Sequence, residues 1–231
     1  MISIIVPTYN EINNIIPLVN AIHIELKGYK HEIIVVDDNS PDGTFNKIKS
    51  LRLPYVKLIL RKKDRSLGKC IGSGIKSSEG KFLVVMDSDF NHKPYYLPRM
   101  IDNLVYYDCV LGSRFVYGGG MSSYFRDLFS WMFNIFLRII LRGSITDNLS
   151  GFFAIKKDLV EPLDFEKIFY GYGDYYFRLL FYLKKEKLNI LQIPVIYGKR
   201  TSGMGNSAFG LVITLCKYTF EAIRLSLMNK N

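Results

Sequence analysis

The stretch FLVVMDSDFNHKP at 82–94 follows five apolar residues with two aspartates, Asp87 and Asp89, separated only by Ser88. Two carboxylates this close repel unless a cation or a hydrogen-bond network holds them. Their oxygens suit Mg²⁺ or Mn²⁺, which take incomplete protein cages finished by substrate phosphates. The same residues also suit a turn capped by Asp and Asn side chains, and the pair alone does not choose between the two.

Two further clusters carry related chemistry. VVDDNSPDGT at 35–44 sets Asp37 and Asp38 where carboxylates can take hydrogen bonds from a base or from ribose hydroxyls. The turn residues Asn39, Ser40, Asp42 and Gly43 serve equally as caps. IVPTYNE at 5–11 offers Pro7, Tyr9 as a platform for a nucleobase, and Glu11 as an acceptor that a helix dipole also favours.

Basic residues follow later. GSRFVYGGG supplies Arg114, and the next segment places Arg126 and Ser130 four apart, on one helical face. Guanidinium groups clamp phosphate well, although Arg126 also fits the solvated face of a surface helix. YGKRTSGMGNS at 197–207 brings Lys199 and Arg200 into a glycine-rich loop. It fits either a lid over a diphosphate, with Arg200 offsetting leaving-group charge, or an ordinary basic loop.

These clusters need a scaffold. ISIIV (2–6), EIIVV (32–36), VKLIL (56–60), FLVVM (82–86) and CVLGS (109–113) read as strands covered on both faces, because polar alternation is absent. Residues 11–27, 43–52, 67–78 and 95–106 suit helices between them. The order predicts an α/β domain with a mostly parallel sheet flanked by helices, and ligands at the carboxyl ends of its strands. Four of the five strands end in the polar clusters. Beyond them come an amphipathic helix at 122–142 stopped by Gly143, a strand in SGFFAIKKDLV, a helix in YYFRLLFYLKKEKL, a strand in NILQIPVIYGKR, and an amphipathic helix at 207–228. No repeat or linker divides 1–231, which reads as a single domain.

With 31 Lys and Arg against 21 Asp and Glu, the net charge of +10 favours an anionic partner. No recognition motif supports nucleic acid. Cys70, Cys109 and Cys216 form no framework or metal pattern; they read as structural filler in a reducing, cytoplasmic setting. No signal peptide opens the chain and no apolar run is long enough to span a bilayer, so a membrane-surface role for 122–142 and 207–228 stays open beside burial against the sheet or a partner.

In order along the chain, PTYNE, DDNSPDGT, GSGIKSSEG, DSDFNHKP, GSRFVYGGG, TDNLSGFFAI and KRTSGMGNS resemble glycosyltransferase family 2. The likeness is greatest to its polyprenol-phosphate branch, typified by dolichol-phosphate mannose synthase, and covers nearly the whole chain. It implies a GT-A fold and inverting transfer of a hexose, mannose or glucose, from a nucleotide diphosphate sugar of the GDP-mannose or UDP-glucose type to a polyprenyl (dolichyl) phosphate. Pro7, Tyr9, Glu11, Asp38, Asp87, Ser88 and Lys199 would line the nucleotide. Asp87, Asp89 and Asn91 would hold Mg²⁺ or Mn²⁺, with Asn91 where the family usually has Gln. Asp89, Arg114, Arg126, Ser130 and Arg200 would carry the transfer, with Arg114, Arg126 and Ser130 gripping the acceptor phosphate. The enzyme would sit peripherally at the cytoplasmic face of a membrane, with room for an anchoring partner subunit.

Asp174, in YGYGDYYFRLL, stands where these relatives often carry Lys. It reads as a helix N-cap, or as the base of a transferase using a saccharide hydroxyl. A non-catalytic nucleotide-sugar or membrane-binding module is the remaining alternative.

Overall fold

Alternating apolar runs and amphipathic segments produce strands β1 (Ile2–Thr8), β2 (His31–Asp37), β3 (Val56–Leu60), β4 (Phe82–Val85) and β5 (Cys109–Ser113), interleaved with helices α1 (Ile15–Glu25), α2 (Thr44–Ser50), α3 (Leu67–Ser77) and α4 (Leu97–Asn103). The structure, a computed structural model, describes residues 1–122, 124–198 and 208–228, without the side chains of 124–126, 185 and 208–211. The expected helix at 95–106 divides into a 3₁₀ turn at Pro94–Tyr96 and α4, consistent with Pro98 near the start of α4. The second half adds β6 (Gly120–Met121), α5 (Tyr124–Ile140), β7 (Phe153–Lys156), α6 (Phe165–Ile168), α7 (Asp174–Leu183), β8 (Ile190–Pro194), β9 (Ile196–Tyr197) and α8 (Ala208–Met228). The single strand expected in NILQIPVIYGKR is therefore two, β8 in the large sheet and β9 in a separate parallel pair with β6.

The large sheet has the order β3-β2-β1-β4-β7-β5-β8. Only β7 runs against its neighbours, β4 and β5. Because both of them are antiparallel to β7, β4 and β5 run the same way. The carboxyl ends of β1, β2, β4 and β5 consequently share one edge, as the sequence predicts.

Period-two alternation splits the core into two layers. Ile4, Val6, Ile33, Val35, Val84 and Val110 pack with Ile15, Leu18 and Ile22 of α1 and Met100 of α4. Ile5, Leu83, Val85 and Leu111 point the other way, toward Ile71 and Ile75 of α3 and Tyr176 and Leu179 of α7. With both faces covered, the strands carry continuous apolar runs.

A third cluster joins α5, α7 and α8 through Leu137, Leu141, Phe177, Phe181, Tyr218, Ala222 and Leu225. Outside that contact, α5 exposes Phe129, Trp131, Met132 and Ile139, and α8 exposes Val212, Phe220, Ile223 and Leu227. Cys70 and Cys109 are buried as expected of filler, whereas Cys216 is exposed on α8.

Candidate active site

The turn after β4 is built from three features. Phe90 has φ +62°, a left-handed conformation that a bulky residue seldom adopts. It turns the chain so that the Asn91 backbone N–H and side-chain amide donate to Asp89 Oδ1 and Oδ2 at 3.1 and 2.8 Å. Asp89 is 8% exposed, while the Asp87 side chain is 38% exposed at the rim. Ser88 is buried between them. Asn91 thus stands as the group that orients Asp89.

His92 supports the same turn from below. Its Nδ1 accepts the Asp87 backbone N–H at 2.9 Å, so Nε2 carries the hydrogen and meets the Tyr197 hydroxyl at 2.6 Å. The ring stacks on Phe152 with centroids 4.7 Å apart. Complete burial, only partly opposed by Asp89, lowers the imidazole to about 4.

On the β1–β2 side, Asp38 is buried and takes Arg61 Nη1 at 2.6 Å and the Ser66 N–H at 2.7 Å. Asp37 holds the turn, accepting the Ser40 N–H at 2.9 Å and the Ser40 hydroxyl at 2.5 Å. Glu11 accepts from the Asn14 amide at 2.7 Å. Pro7 lies within β1, paired in register with Val36. The Tyr9 ring at the strand exit is 38% exposed and carries the Arg65 guanidinium 4.4 Å from its centroid.

Arg114 directly follows β5 and is 7% exposed. Its Nε and Nη2 donate to Asp147 Oδ2 and Oδ1, both at 2.7 Å, leaving Nη1 outside that fork. Burial works against its charge, but the Asp147 carboxylate outweighs this and raises the guanidinium above its ordinary range. Asp127 on α5 has an Oδ1 that is buried without a hydrogen-bond partner among the described residues. Burial raises its carboxyl, and the nearby Arg114 opposes the shift.

Arg126 and Ser130 occupy α5 one turn apart; the Arg126 side chain is not among those described. Asn134 fixes this helix, donating to the Ser130 carbonyl at 2.8 Å and accepting the Asn148 N–H at 2.5 Å. Lys199 and Arg200 lie outside the described residues. Gly173 is the N-cap of α7, and Asp174 is its first helical residue. The Asp174 carboxylate takes the Tyr172 N–H at 2.7 Å and pairs at 2.5 Å with Arg178, whose side chain is fully buried.

Arg61, Arg65, His92, Asp147 and Tyr197 also stand at the site, beyond the residues that the sequence motifs single out. His92 carried a usable signal, being a histidine within the strand-end turn itself. Arg61 and Arg65 lie in the basic run RKKDR after β3. Asp147 and Tyr197 are brought to the site by pairings 33 and 105 residues apart, which local sequence does not reveal.

A cation fits here only with outside help. Asp87 and Asp89 are two carboxylates on one turn, and no group of three or more His, Cys, Asp and Glu converges among the described residues. Two hard oxygen donors, one already oriented by Asn91, match a Mg²⁺ or Mn²⁺ site whose other ligands are water and phosphate.

A family model described as "Glycosyl transferase family 2" matches residues 3–163. The dolichol-phosphate mannosyltransferase of Pyrococcus furiosus is 36% identical over 87% of this chain, which spans 58% of that protein's length. The undecaprenyl-phosphate mannosyltransferase of Micrococcus luteus is 30% identical over 90% of this chain and 88% of its own. The dolichol-phosphate mannosyltransferase of Saccharomyces cerevisiae is 29% identical over 87% of this chain and 79% of its own. Among solved structures, glucosyl-3-phosphoglycerate synthase from Mycobacterium tuberculosis, in complex with Mn²⁺, UDP and phosphoglyceric acid, superposes with a TM-score of 0.76 at 19% identity. That superposition covers 98% of this chain and 78% of the other.

Proposed function

The chain belongs to glycosyl transferase family 2, and we propose that it moves a hexose from a nucleotide diphosphate sugar to a polyprenyl phosphate with inversion at the anomeric carbon. Mannose is the favoured sugar because the three relatives above are named as mannosyltransferases. One observation carries the reading: the acidic turn of Asp87 and Asp89 and the basic end of β5 at Arg114 leave the same edge of the sheet. Donor diphosphate and acceptor phosphate can therefore meet between them.

Asp87 and Asp89 would hold Mg²⁺ or Mn²⁺, which when bound neutralises charge on the departing diphosphate. Asn91 keeps Asp89 aimed. The Tyr9 ring, backed by Arg65, offers a face for the nucleobase, and Asp38 is held in place by Arg61 and Ser66. Arg114, Arg126 and Ser130 would orient the acceptor oxygen behind the sugar carbon, and Lys199 and Arg200 would cover the diphosphate. A phosphate acceptor is already ionised, so positioning and electrostatics suffice without a base. The Asp174 ion pair with Arg178 supports this over a hydroxyl acceptor, since the candidate base is committed to structure.

No helix among the described residues is long and apolar enough to cross a membrane. The exposed apolar faces of α5 and α8 would rest on the bilayer that carries the acceptor. Buried free Cys70 and Cys109 fit a cytoplasmic location.

The deciding experiment screens GDP- and UDP-linked sugars with Mn²⁺ or Mg²⁺, offering a short polyprenyl phosphate or a free saccharide. Turnover with the lipid phosphate is expected. Turnover with the saccharide alone would replace this reading by the hydroxyl-acceptor one.

A further inference from the structure

The Tyr197 hydroxyl makes three short contacts, and each hydrogen in them has one allowed direction. His92 Nδ1 accepts from the Asp87 N–H, so His92 Nε2–H donates to the phenol oxygen at 2.6 Å. The phenol hydrogen goes to the Ser150 carbonyl at 2.7 Å, and the Ser150 hydroxyl donates back at 2.8 Å. A directed chain therefore runs from the backbone of the acidic turn to the segment preceding β7.

The same residue touches the basic side. The Arg114 guanidinium lies 4.8 Å from the centre of the Tyr197 ring. Tyr197 pairs in register with Met121 on β6, the strand that leads toward α5 with Arg126 and Ser130. Next to it, a Cβ on Gly198 would lie 3.4 Å from the Phe90 carbonyl oxygen, so β9 runs directly against the acidic turn. The Ile196 N–H adds a bond of 2.8 Å to the Tyr96 hydroxyl.

Resting on the functional reading above, we propose that Tyr197 is a positioning residue that sets the metal-side turn, through His92, in register with the acceptor arginine, through its ring. The two halves of Tyr197 then have separable duties. The hydroxyl acts on the turn of Asp87 and Asp89; the ring acts on Arg114.

Tyr197→Phe removes the first duty and Tyr197→Leu removes both. His92→Asn keeps an acceptor near the place of Nδ1 for the Asp87 N–H but is too short to reach Tyr197. Calorimetric titration of Mn²⁺ into protein saturated with GDP, repeated with UDP, reads the turn without turnover; acceptor KM with a short polyprenyl phosphate reads the arginine. Tyr197→Phe and His92→Asn should each weaken Mn²⁺ binding about tenfold, the usual scale for groups that orient ligands, with acceptor KM within about twofold of native. Tyr197→Leu should add a severalfold rise in acceptor KM.

Mn²⁺ affinity within about twofold of native in both Tyr197→Phe and His92→Asn overturns the proposal. So does a rise in acceptor KM for Tyr197→Phe equal to that of Tyr197→Leu. Should Tyr197→Phe lose its fold by circular dichroism, the His92→Asn titration decides. A native protein that binds Mn²⁺ and nucleotide but transfers no sugar defeats the functional reading and leaves the titration standing; one that binds neither defeats both.

Discussion

Arg114 and Asp147 form a two-pronged ion pair, Nε to Oδ2 and Nη2 to Oδ1 at 2.7 Å each, with both side chains nearly or fully buried. The Arg114 backbone N–H adds a third bond to the same carboxylate at 3.0 Å. Asp147→Ala would strand a buried guanidinium, a change that costs about 3–5 kcal/mol. In a chain of this size the melting temperature should fall by roughly 10 °C. Thermal melts with a two-state fit check this, and a loss of only a degree or two would mean that the pair is effectively solvated.

Asp89 and Asn91 should separate in severity. Asp89→Ala removes a candidate cation ligand and should lower kcat/KM at least about a hundredfold, with added Mn²⁺ giving little rescue. Asn91→Ala removes one orienting bond of 2.8 Å and should cost about tenfold, partly restored by raising Mn²⁺. Equal losses would make Asn91 more than an orienting group. EDTA should abolish turnover of the native protein.

The sheet and its loaded edge were readable because buried parallel strands leave a local mark: apolar runs such as Ile33–Val36 with no alternation. Asp38, Asp87, Asp89 and Arg114 were legible for the same reason, since each follows such a run. Their partners were not. Asp147 reaches Arg114 from a turn 33 residues away, and Tyr197 reaches His92 from a short strand across 105 residues. The bond from the Asn91 amide nitrogen to Asp89 was not legible either, because it depends on the left-handed turn at Phe90. The apolar pattern at 122–142 and 207–228 predicts helices where α5 and α8 lie, but only packing shows that α8 turns Tyr218, Ala222 and Leu225 inward and Phe220 outward.

His92 should make folding pH-sensitive. Its imidazole is lowered by burial to about 4 from an ordinary 6.5, so between those values the unfolded chain binds more protons than the folded one. Stability is therefore fully present above about pH 6.5 and is lost as pH falls toward 4, by up to about 3 kcal/mol from this group. Urea midpoints of native and His92→Asn protein at pH 7.5 and 5 test the sign. The native protein should lose more of its midpoint on acidification than the variant.

Gly68 sits in the first turn of α3, where an added Cβ would come within 2.6 Å of the Tyr170 backbone. Backbone cannot yield as a side-chain tip can, so Gly68→Ala should cost about 1–3 kcal/mol. Ser66 joins the same contact, donating its hydroxyl to the Gly171 carbonyl at 2.8 Å while its N–H holds Asp38. Pushing α3 away should therefore weaken nucleotide binding as well. Parallel melts and GDP or UDP titrations should show both losses; a lower melting temperature with unchanged nucleotide affinity would disconnect the two.

Phe220 and Ile223 project from the outer face of α8, 71% and 44% exposed, while Tyr218, Glu221 and Ala222 on the inner face fix the helix. Glu221 takes the Tyr170 hydroxyl at 2.9 Å and lies 3.4 Å from Arg178 Nη1 on α7, so the helix is docked independently of its outer residues. Replacing both Phe220 and Ile223 by Ser should then leave the melting temperature almost unchanged. If that face enters a bilayer, the lost burial is about 2 kcal/mol or more, and partition into anionic phosphatidylglycerol vesicles should fall at least about tenfold. Vesicle sedimentation measures it. The net charge of +10 supplies a second attraction that both proteins share, so the difference should persist in high salt, where that attraction is screened. Equal sedimentation of native and variant protein would remove α8 from the membrane-facing surface and leave α5 to account for it.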